Sequence, residues 1–434
     1  MTVSPEGGIK LYLLVFGMNT LQLPDRKTDL IVGSSADGKK ITLYKCLLTN
    51  IHRHIVNKGA CTEEFEVISR FVFVGTHFNK VQDITFKSLY VRYLNLEKWA
   101  DISGFKIAPY QKDTYLIKYR LPKKIALKTG DDFQISVSFS ASYPALTHPQ
   151  TEASIEQNAW LTFTPSISKN LDDFLKVIRI MQNFLTLAMS EPTYPAVVEG
   201  QSESEKDDLG DGAVFYLPIK IVFIQSFYKS PELSTLSTFD MLFTLKEIIR
   251  KKRIVKNWFE KTDILEPVCD LYFSTLYQKG MYLNNELLNL TQALESYHRR
   301  TKKNLEVSKK QHEKRIQMIL KKTPIKHKEW LESKLTYSNE PTFRKRLRDI
   351  CNECPTAISD KLGTKDSFVD VTVNTRNYWT HFDDIKPNTA MGFDLFYLVL
   401  KLKVLVMTCL LEEMGFATQE IERLMSKALS QIKR

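Results

Sequence analysis

The hydrophobic periodicity of this chain changes along its length, and that change limits the fold more than any other feature of the sequence. Up to about residue 165, short segments rich in β-branched and aromatic residues, such as 66–74 and 133–139, show the pattern of half-buried strands. From about residue 235, apolar residues recur at three- and four-residue intervals, as they do in helices. The sequence therefore predicts the α+β class, with a β-rich N-terminal domain at 1–234 followed by a helical region at 235–434.

Local signals divide these parts further. The turn Ala36-Asp37-Gly38-Lys39 predicts a tight hairpin, because Asp-Gly readily adopts the positive φ angles that such turns need. Within the N-terminal domain, the spacing predicts a helix over 171–189 and a strand over 214–223. The helical region is expected to contain helices over 239–259, 264–298 with an interruption at Gly280, 299–335 broken at Thr323-Pro324, 343–351, 392–414 and 419–433.

Membrane segments and metal sites are not expected. The apolar run 11–16 lacks a cleavage site and favours a strand over a signal peptide, and 395–411 is interrupted by Lys401 and Lys403. Cys351 and Cys354 form a lone C-x-x-C, which supplies only two of the four ligands of a structural zinc. We therefore expect a cytoplasmic protein that has no membrane partner, no metal and no cofactor.

Positive charge is concentrated in one part of the chain. Residues 291–350 contain 17 Lys and Arg against 7 Asp and Glu, which gives +10 of the total net charge of +11. Such a concentration is typical of a surface that binds a polyanion, and nucleic acid is the leading candidate. Within it we expect Arg299, Arg300, Lys302 and Lys303 to bind RNA.

Arg376 and His381, which follow this basic tract, are the residues best suited to catalysis. A histidine can remove or deliver a proton at neutral pH, and an arginine presents a planar set of donors that matches phosphate oxygens. Together they could cleave RNA without a metal, with the ribose 2′-hydroxyl as the nucleophile. Glu295 and His298, about one helical turn apart, could support this site from a neighbouring helix.

The spacing of the pair raises a geometric problem. Residues five apart on an ideal helix lie about 140° from each other, so Arg376 and His381 do not share a face. They could converge if Arg376 begins a helix with Asn374 or Thr375 as its N-cap. A second copy of the pair across a two-fold axis could also complete the site.

The C-terminal region, about 260–434, resembles the HEPN superfamily. The resemblance rests on Arg376-Asn377-Tyr-Trp-Thr-His381, on 294–299 and 343–347 upstream, and on 410–416 downstream. It implies an all-α HEPN bundle and a ribonuclease site that includes Asn377, the polar residue after the arginine. HEPN nucleases typically form dimers, so a homodimer or a higher even oligomer is implied. Where some HEPN toxins have a regulatory tyrosine two positions after the histidine, this chain has Asp383.

The N-terminal half is similar to the domain that precedes HEPN in ApeA-like phage-defence proteins. The similar stretches are 31–33, 37–43, 93–99 and 104–105. The resemblance implies a bacterial endoribonuclease toxin of an abortive-infection system, with a sensor or regulatory N-terminal domain and a phage protein as trigger. Its substrate would be tRNA or another structured RNA.

Two other functions fit the same residues. In the first, a non-catalytic nucleic-acid-binding or phage-sensing protein carries a degenerate HEPN domain, and Arg376 only binds phosphate. In the second, a metal-dependent nuclease uses Asp383 and Asp384. Because adjacent carboxylates on a helix face different directions, we consider this function the least favoured of the three.

Overall fold

The structure of the chain is a computed structural model that describes residues 1–4, 8–17, 26–56, 60–108, 116–130, 132–144, 153–208, 210, 214–223, 236–278 and 280–430. The chain divides into two compact units, Met1–Lys252 and Arg253–Arg434. The first is β-rich and the second is helical, which confirms the predicted fold class.

An antiparallel sheet of eleven strands dominates the first unit in the described part of the chain. The strands of this unit are β1 Thr2–Ser4, β2 Gly8–Gly17, β3 Lys27–Ser34, β4 Lys40–Val56, β5 Ala60–Val74, β6 Thr85–Phe86, β7 Ser88–Tyr93, β8 Phe105–Ile107, β9 Ile117–Tyr119, β10 Ile125–Leu127, β11 Phe133–Ala141, β12 Gln157–Pro165, β13 Lys169–Asn170, β14 Pro195–Gln201, β15 Lys206–Asp208, β16 Val214–Tyr216 and β17 Ile219–Phe223. The large sheet runs in the order β1-β2-β5-β17-β14-β7-β12-β11-β10, and β4 pairs with both β3 and β5. The short strands form separate pairs, β6 with β13, β8 with β9, and β15 with β16.

The predicted hairpin joins β3 to β4. Gly38 has a φ of 79° and its N–H donates to the carbonyl of Ser35 at 2.9 Å, which confirms the turn. The strand predicted over 214–223 is instead two strands, because Pro218 has no N–H to continue a ladder. β16 pairs with β15, whereas β17 joins the large sheet between β5 and β14.

Helix α2, Leu171–Met189, has the bounds that its apolar spacing predicted. The Asn170 side chain accepts from the N–H of Asp173 at 3.0 Å and so caps its first turn. The Phe174 ring lies 5.2 Å from that of Phe133 and 6.4 Å from that of Phe86, so the helix packs on aromatic side chains from the strands. The other helices of this unit are α1 Leu96–Ala100 and α3 Leu245–Ile248.

The single helix predicted over 239–259 is wrong. A 3-10 turn at Thr238–Asp240 is followed by α3, and α4 begins only at Arg253. Thr244 causes the break, because its N–H donates to the Glu247 carboxylate at 2.9 Å and starts a new helix with a capping box.

The second unit is a helical bundle. Its helices are α4 Arg253–Glu260, α5 Thr262–Tyr277, α6 Leu283–Thr301, α7 Lys309–Lys322, α8 Ile325–Leu335, α9 Phe343–Glu353, α10 Thr356–Leu362, α11 Lys365–His381, α12 Gly392–Met414 and α13 Thr418–Ser430. The predicted breaks at Gly280 and at Thr323-Pro324 are confirmed. Gly280, between α5 and α6, has a φ of 77°, which favours glycine.

Helix α12 forms the centre of this bundle. Buried side chains occur around its whole circumference, including the run Val404–Leu411. Its two lysines have partners inside the unit, since Lys401 donates to the carbonyl of Leu362 at 2.8 Å and Lys403 pairs with Glu286. Among the described residues, no helix has the length and apolar character needed to cross a membrane.

Candidate active site at the end of helix α11

Arg376 and His381 both lie on α11, which is continuous from Lys365 to His381. The first of the two ways in which the pair could converge, with Arg376 at the start of a helix, is therefore excluded. Asn374 and Thr375 are not N-caps: the Asn374 amide donates to the carbonyl of Pro387 at 3.4 Å, and the buried Thr375 hydroxyl accepts from the N–H of Ala390 at 2.9 Å. These two side chains instead fasten the segment after α11 to the helix. The helix continues through the motif because 365–381 contains no glycine or proline.

Three contacts orient the guanidinium of Arg376. It lies 3.7 Å from the Glu295 carboxylate of α6, and it donates to the Asn377 side-chain carbonyl at 3.3 Å. Its Cζ also lies 5.6 Å from the centre of the Phe343 ring of α9, a cation–π distance. The side chain remains 34% exposed, so the group is held in place and can still reach a ligand.

His381 is the last residue of α11 and is exposed. In the part of the chain that the structure describes, its ring makes no hydrogen bond or ion pair. Phe382, with a φ of 56°, ends the helix and donates its N–H to the carbonyl of Tyr378 at 2.7 Å. Because the helix is regular, Arg376 and His381 remain about 140° apart around the axis, with a rise of about 7.5 Å between them.

Of the two expected supporting residues, the structure brings only Glu295 to the motif. His298 is buried, with Nδ1 at 3.3 Å from Nη1 of Arg346 and Nε2 at 3.3 Å from the Asp349 carboxylate. Burial lowers the pKa of His298, and the positive charge of Arg346 lowers it further. His298 therefore belongs to an internal polar cluster on α6 and α9.

Sequence reasoning missed Arg346, the centre of that cluster. Its side chain is fully buried, and Nη2 lies 3.4 Å from the Glu340 carboxylate. Among the described residues, its Nε has no partner. A signal was present, because Arg346 lies beside Leu347 and four residues before Ile350, on the apolar face of α9.

Three of the four basic residues expected to bind RNA have partners within the unit. Arg299 pairs with Glu340 at 2.9 Å, Arg300 donates to the carbonyl of Asp263 at 3.2 Å, and Lys302 pairs with Glu353. Lys303 is exposed.

The structure describes no metal site. Among the described residues, no group of three or more His, Cys, Asp or Glu side chains could hold a metal ion. Cys351 is buried, and burial raises the pKa of its thiol to about 11. Burial likewise raises the pKa of Cys354, so both thiols stay protonated at neutral pH.

A β-rich unit followed by a helical bundle that carries Arg-x4-His on one of its helices is the organisation expected of a two-domain HEPN protein. The family model described as ApeA N-terminal domain 1 matches residues 1–258, and the model described as Apea-like HEPN matches residues 288–420. The first match alone covers more than half of the chain. The chain therefore belongs to the ApeA family, with an ApeA N-terminal domain and an Apea-like HEPN domain.

The two family matches support a HEPN nuclease of the kind found in defence systems. No curated protein and no solved structure matches the chain.

Proposed function

We propose that the C-terminal unit is a metal-independent endoribonuclease that cleaves RNA by attack of the ribose 2′-hydroxyl. The observation that carries the proposal is the state of Arg376, whose guanidinium is fixed by Glu295, Asn377 and Phe343 and is still partly exposed. An exposed histidine, His381, follows on the same helix, about 7.5 Å further along its axis. An oriented guanidinium that can bind phosphate and an exposed imidazole that can transfer a proton are the two groups that metal-independent cleavage by a 2′-hydroxyl uses.

The reaction assigns one role to each residue. His381 removes the proton of the 2′-hydroxyl, and the oxygen attacks the neighbouring phosphorus. The bond from phosphorus to the 5′-oxygen then breaks, and the leaving oxygen takes a proton from water, which leaves a 2′,3′-cyclic phosphate and a 5′-hydroxyl. Arg376 balances the negative charge that develops on the phosphoryl oxygens. Asn377 keeps the guanidinium oriented through its side-chain carbonyl.

We further propose that the site is shared between two subunits in a homodimer or a higher even oligomer. On one regular helix Arg376 and His381 face different directions, so a two-fold axis beside the motif would bring one chain's arginine to the other's histidine. Residues 404–411 of α12 do not offer this interface, because they are buried within their own unit. Exposed apolar side chains near the motif support a different surface, since Phe382 is 67% exposed and Phe393 is 84% exposed.

Membership of the family also supports a biological role. We propose a bacterial anti-phage, abortive-infection function in the cytoplasm, with the N-terminal unit as sensor and a phage protein as trigger. The substrate would be tRNA or another structured RNA.

Cleavage in the presence of a chelator tests the function. The purified chain is incubated with end-labelled tRNA in excess EDTA, and the products are examined for 2′,3′-cyclic phosphate ends. His381→Ala and Arg376→Ala should each abolish cleavage while the far-UV circular dichroism is unchanged, because both side chains are polar and neither is buried. A matched control is the double variant Asp383→Ala and Asp384→Ala, which alters exposed neighbours of the motif and should remain active.

Each other function has its own outcome. Loss of cleavage in EDTA with rescue by Mg²⁺, together with loss in the double aspartate variant, would mean a metal-dependent nuclease. RNA binding without cleavage under any condition would mean a non-catalytic, degenerate HEPN domain. Full activity in His381→Ala would remove this residue from the mechanism.

A further inference from the structure

Helices α7 and α8 form a hairpin that buries none of its own side chains. Neither Lys309–Lys322 nor Ile325–Leu335 contains a buried residue. A helix of a globular domain normally buries an apolar stripe against the core. These two helices, of 14 and 11 residues, have no fully buried residue and so contribute little to the core of the bundle. We call residues 309–335 the arm.

The arm joins the bundle at a narrow neck built around Asn339. The Asn339 amide donates to the carbonyl of Val307 at 3.0 Å, and its side-chain carbonyl accepts from the N–H of Val307 at 3.1 Å. The backbone carbonyl of Asn339 also accepts from the N–H of Glu306 at 2.9 Å. Asn339 is buried. These three hydrogen bonds join the residues that precede the arm to the residue that follows it. The chain therefore leaves and re-enters the bundle at one place.

The charge of the arm is strongly positive and unpaired. It contains nine Lys and Arg residues against three Glu, a net charge of +6. Among the described residues, none of these nine cations makes an ion pair. Arg299 and Lys302, by contrast, pair with carboxylates in the bundle. The arm therefore carries positive charge that remains available to bind a polyanion.

Exposed apolar side chains lie between these charges. Ile325 is 88% exposed and Trp330 is 60% exposed, and Lys326 and Lys328 lie between them in the sequence. A helix that lies on a membrane separates a continuous apolar face from a charged one, whereas here the two kinds of residue are interleaved. Cations next to exposed aromatic rings are the combination that binds phosphates and stacks unpaired bases.

We propose that the arm is a binding surface for single-stranded RNA, in which its lysines and arginine contact phosphates and Trp330 stacks on a base. The proposal deepens the proposed nuclease function, because the arm would hold the strand that Arg376 and His381 cleave. Binding is nevertheless separable from cleavage. The two can therefore be tested, and can fail, independently.

The first test uses a short single-stranded 2′-O-methyl RNA, which cannot be cleaved by 2′-hydroxyl attack, and measures its fluorescence anisotropy with the full chain at several salt concentrations. The arm variant replaces Lys309, Lys310, Lys314 and Arg315 by Gln, and all four are exposed. Since each phosphate contact contributes about −0.7 to the slope of log K against log salt, the variant should flatten that slope by up to about 3.

A matched control removes the same charge elsewhere. Lys118, Lys123, Lys124 and Lys128 are exposed residues of the first unit, and their replacement by Gln should leave the slope unchanged. If the arm variant and this control have the same slope as the unaltered chain, the arm does not contact RNA and the proposal is overturned. Tight salt-dependent binding of the chain to phosphatidylglycerol vesicles but not to the RNA would also overturn it, in favour of a membrane.

The second test addresses stacking. Trp330→Ala should weaken binding of the same RNA by about 5- to 100-fold, whereas Trp330→Phe keeps an aromatic face and should weaken it much less. Equal affinities for the two variants would exclude stacking by this residue. If the unaltered chain binds the RNA through the arm but cleaves no RNA at all, the arm proposal stands and the nuclease proposal fails.

Discussion

The stability of the helical unit is expected to depend on one carboxylate, that of Glu340, which pairs with the buried Arg346. Glu340 lies 3.4 Å from the fully buried guanidinium of Arg346, and it also pairs with Arg299 at the surface. Replacing Glu340 by Gln keeps the size of the side chain but removes its negative charge. Arg346 would then lack its ion-pair partner on that side, and the neighbouring His298 ring carries no negative charge that could replace it.

The magnitude follows from the burial of the two partners. Removing one member of a fully buried pair costs about 3–5 kcal/mol, because the remaining charge has no compensation. Glu340 is 25% exposed, so water partly screens this pair, and we expect a smaller loss, about 2–3 kcal/mol. Loss of the surface pair alone, in Arg299→Gln, should cost less than about 1 kcal/mol. The double variant Glu340→Gln and Arg346→Met removes the buried charge itself and should recover most of the stability.

Hydrogen exchange of the intact chain measures this effect locally. Amides of α6 and α9 should lose protection in Glu340→Gln by a factor of about 30 to 150, the equivalent of 2–3 kcal/mol. Amides of β11 and β12, in the other unit, serve as the internal control. Unchanged protection in α9, or a double variant less stable than Glu340→Gln alone, would refute the idea that an uncompensated Arg346 causes the loss.

Other predictions concern the site and the C-terminal end of α12. Burial raises the pKa of Glu412 from 4.5 to about 7, so the stability it contributes is present below pH 4.5 and is lost as pH rises through about 7. At alkaline pH the free energy of unfolding of Glu412→Gln, measured in urea, should therefore be about 2–3 kcal/mol higher than that of the unaltered chain. In acid this difference in stability should vanish. Asn377→Ala should reduce the cleavage rate less than Arg376→Ala does, because it removes only a partner of the guanidinium; equal loss in single-turnover assays would contradict this. Mixing the Arg376→Ala and His381→Ala chains, with subunit exchange, should restore part of the cleavage if the site is shared, and exchanged heterodimers that remain inactive would exclude a shared site.

The sequence predicts those features that depend on local chemistry. The turn at Gly38 and the end of α12 at Gly415 both have a positive φ, which glycine adopts more readily than other residues. The bounds of α2 follow from its apolar spacing. By contrast, the helix break at Thr244 depends on a hydrogen bond to Glu247 in competition with an otherwise helical pattern.

The candidate site could be predicted only in part, because some of its contacts depend on tertiary packing. Arg376 and His381 lie five positions apart in the sequence, and their residue types point to phosphate chemistry. The contact between Arg376 and Glu295 spans 81 positions, and the packing of α6 against α11 creates it. That Arg299 and Lys302 are paired within the bundle, whereas the arm lysines are not, also depends on tertiary packing.

The neck at Asn339 has a consequence for how this bundle can change over generations. Because the chain leaves and re-enters the bundle at hydrogen-bonding distance, the inserted segment affects stability mainly through the entropy of closing a loop. That cost rises only logarithmically, by about 0.6 kcal/mol for each doubling of length. Insertions, deletions and exchanges of the hairpin are therefore nearly neutral for folding. Selection can act on its length and charge while the helices that hold Arg376 keep their sequence.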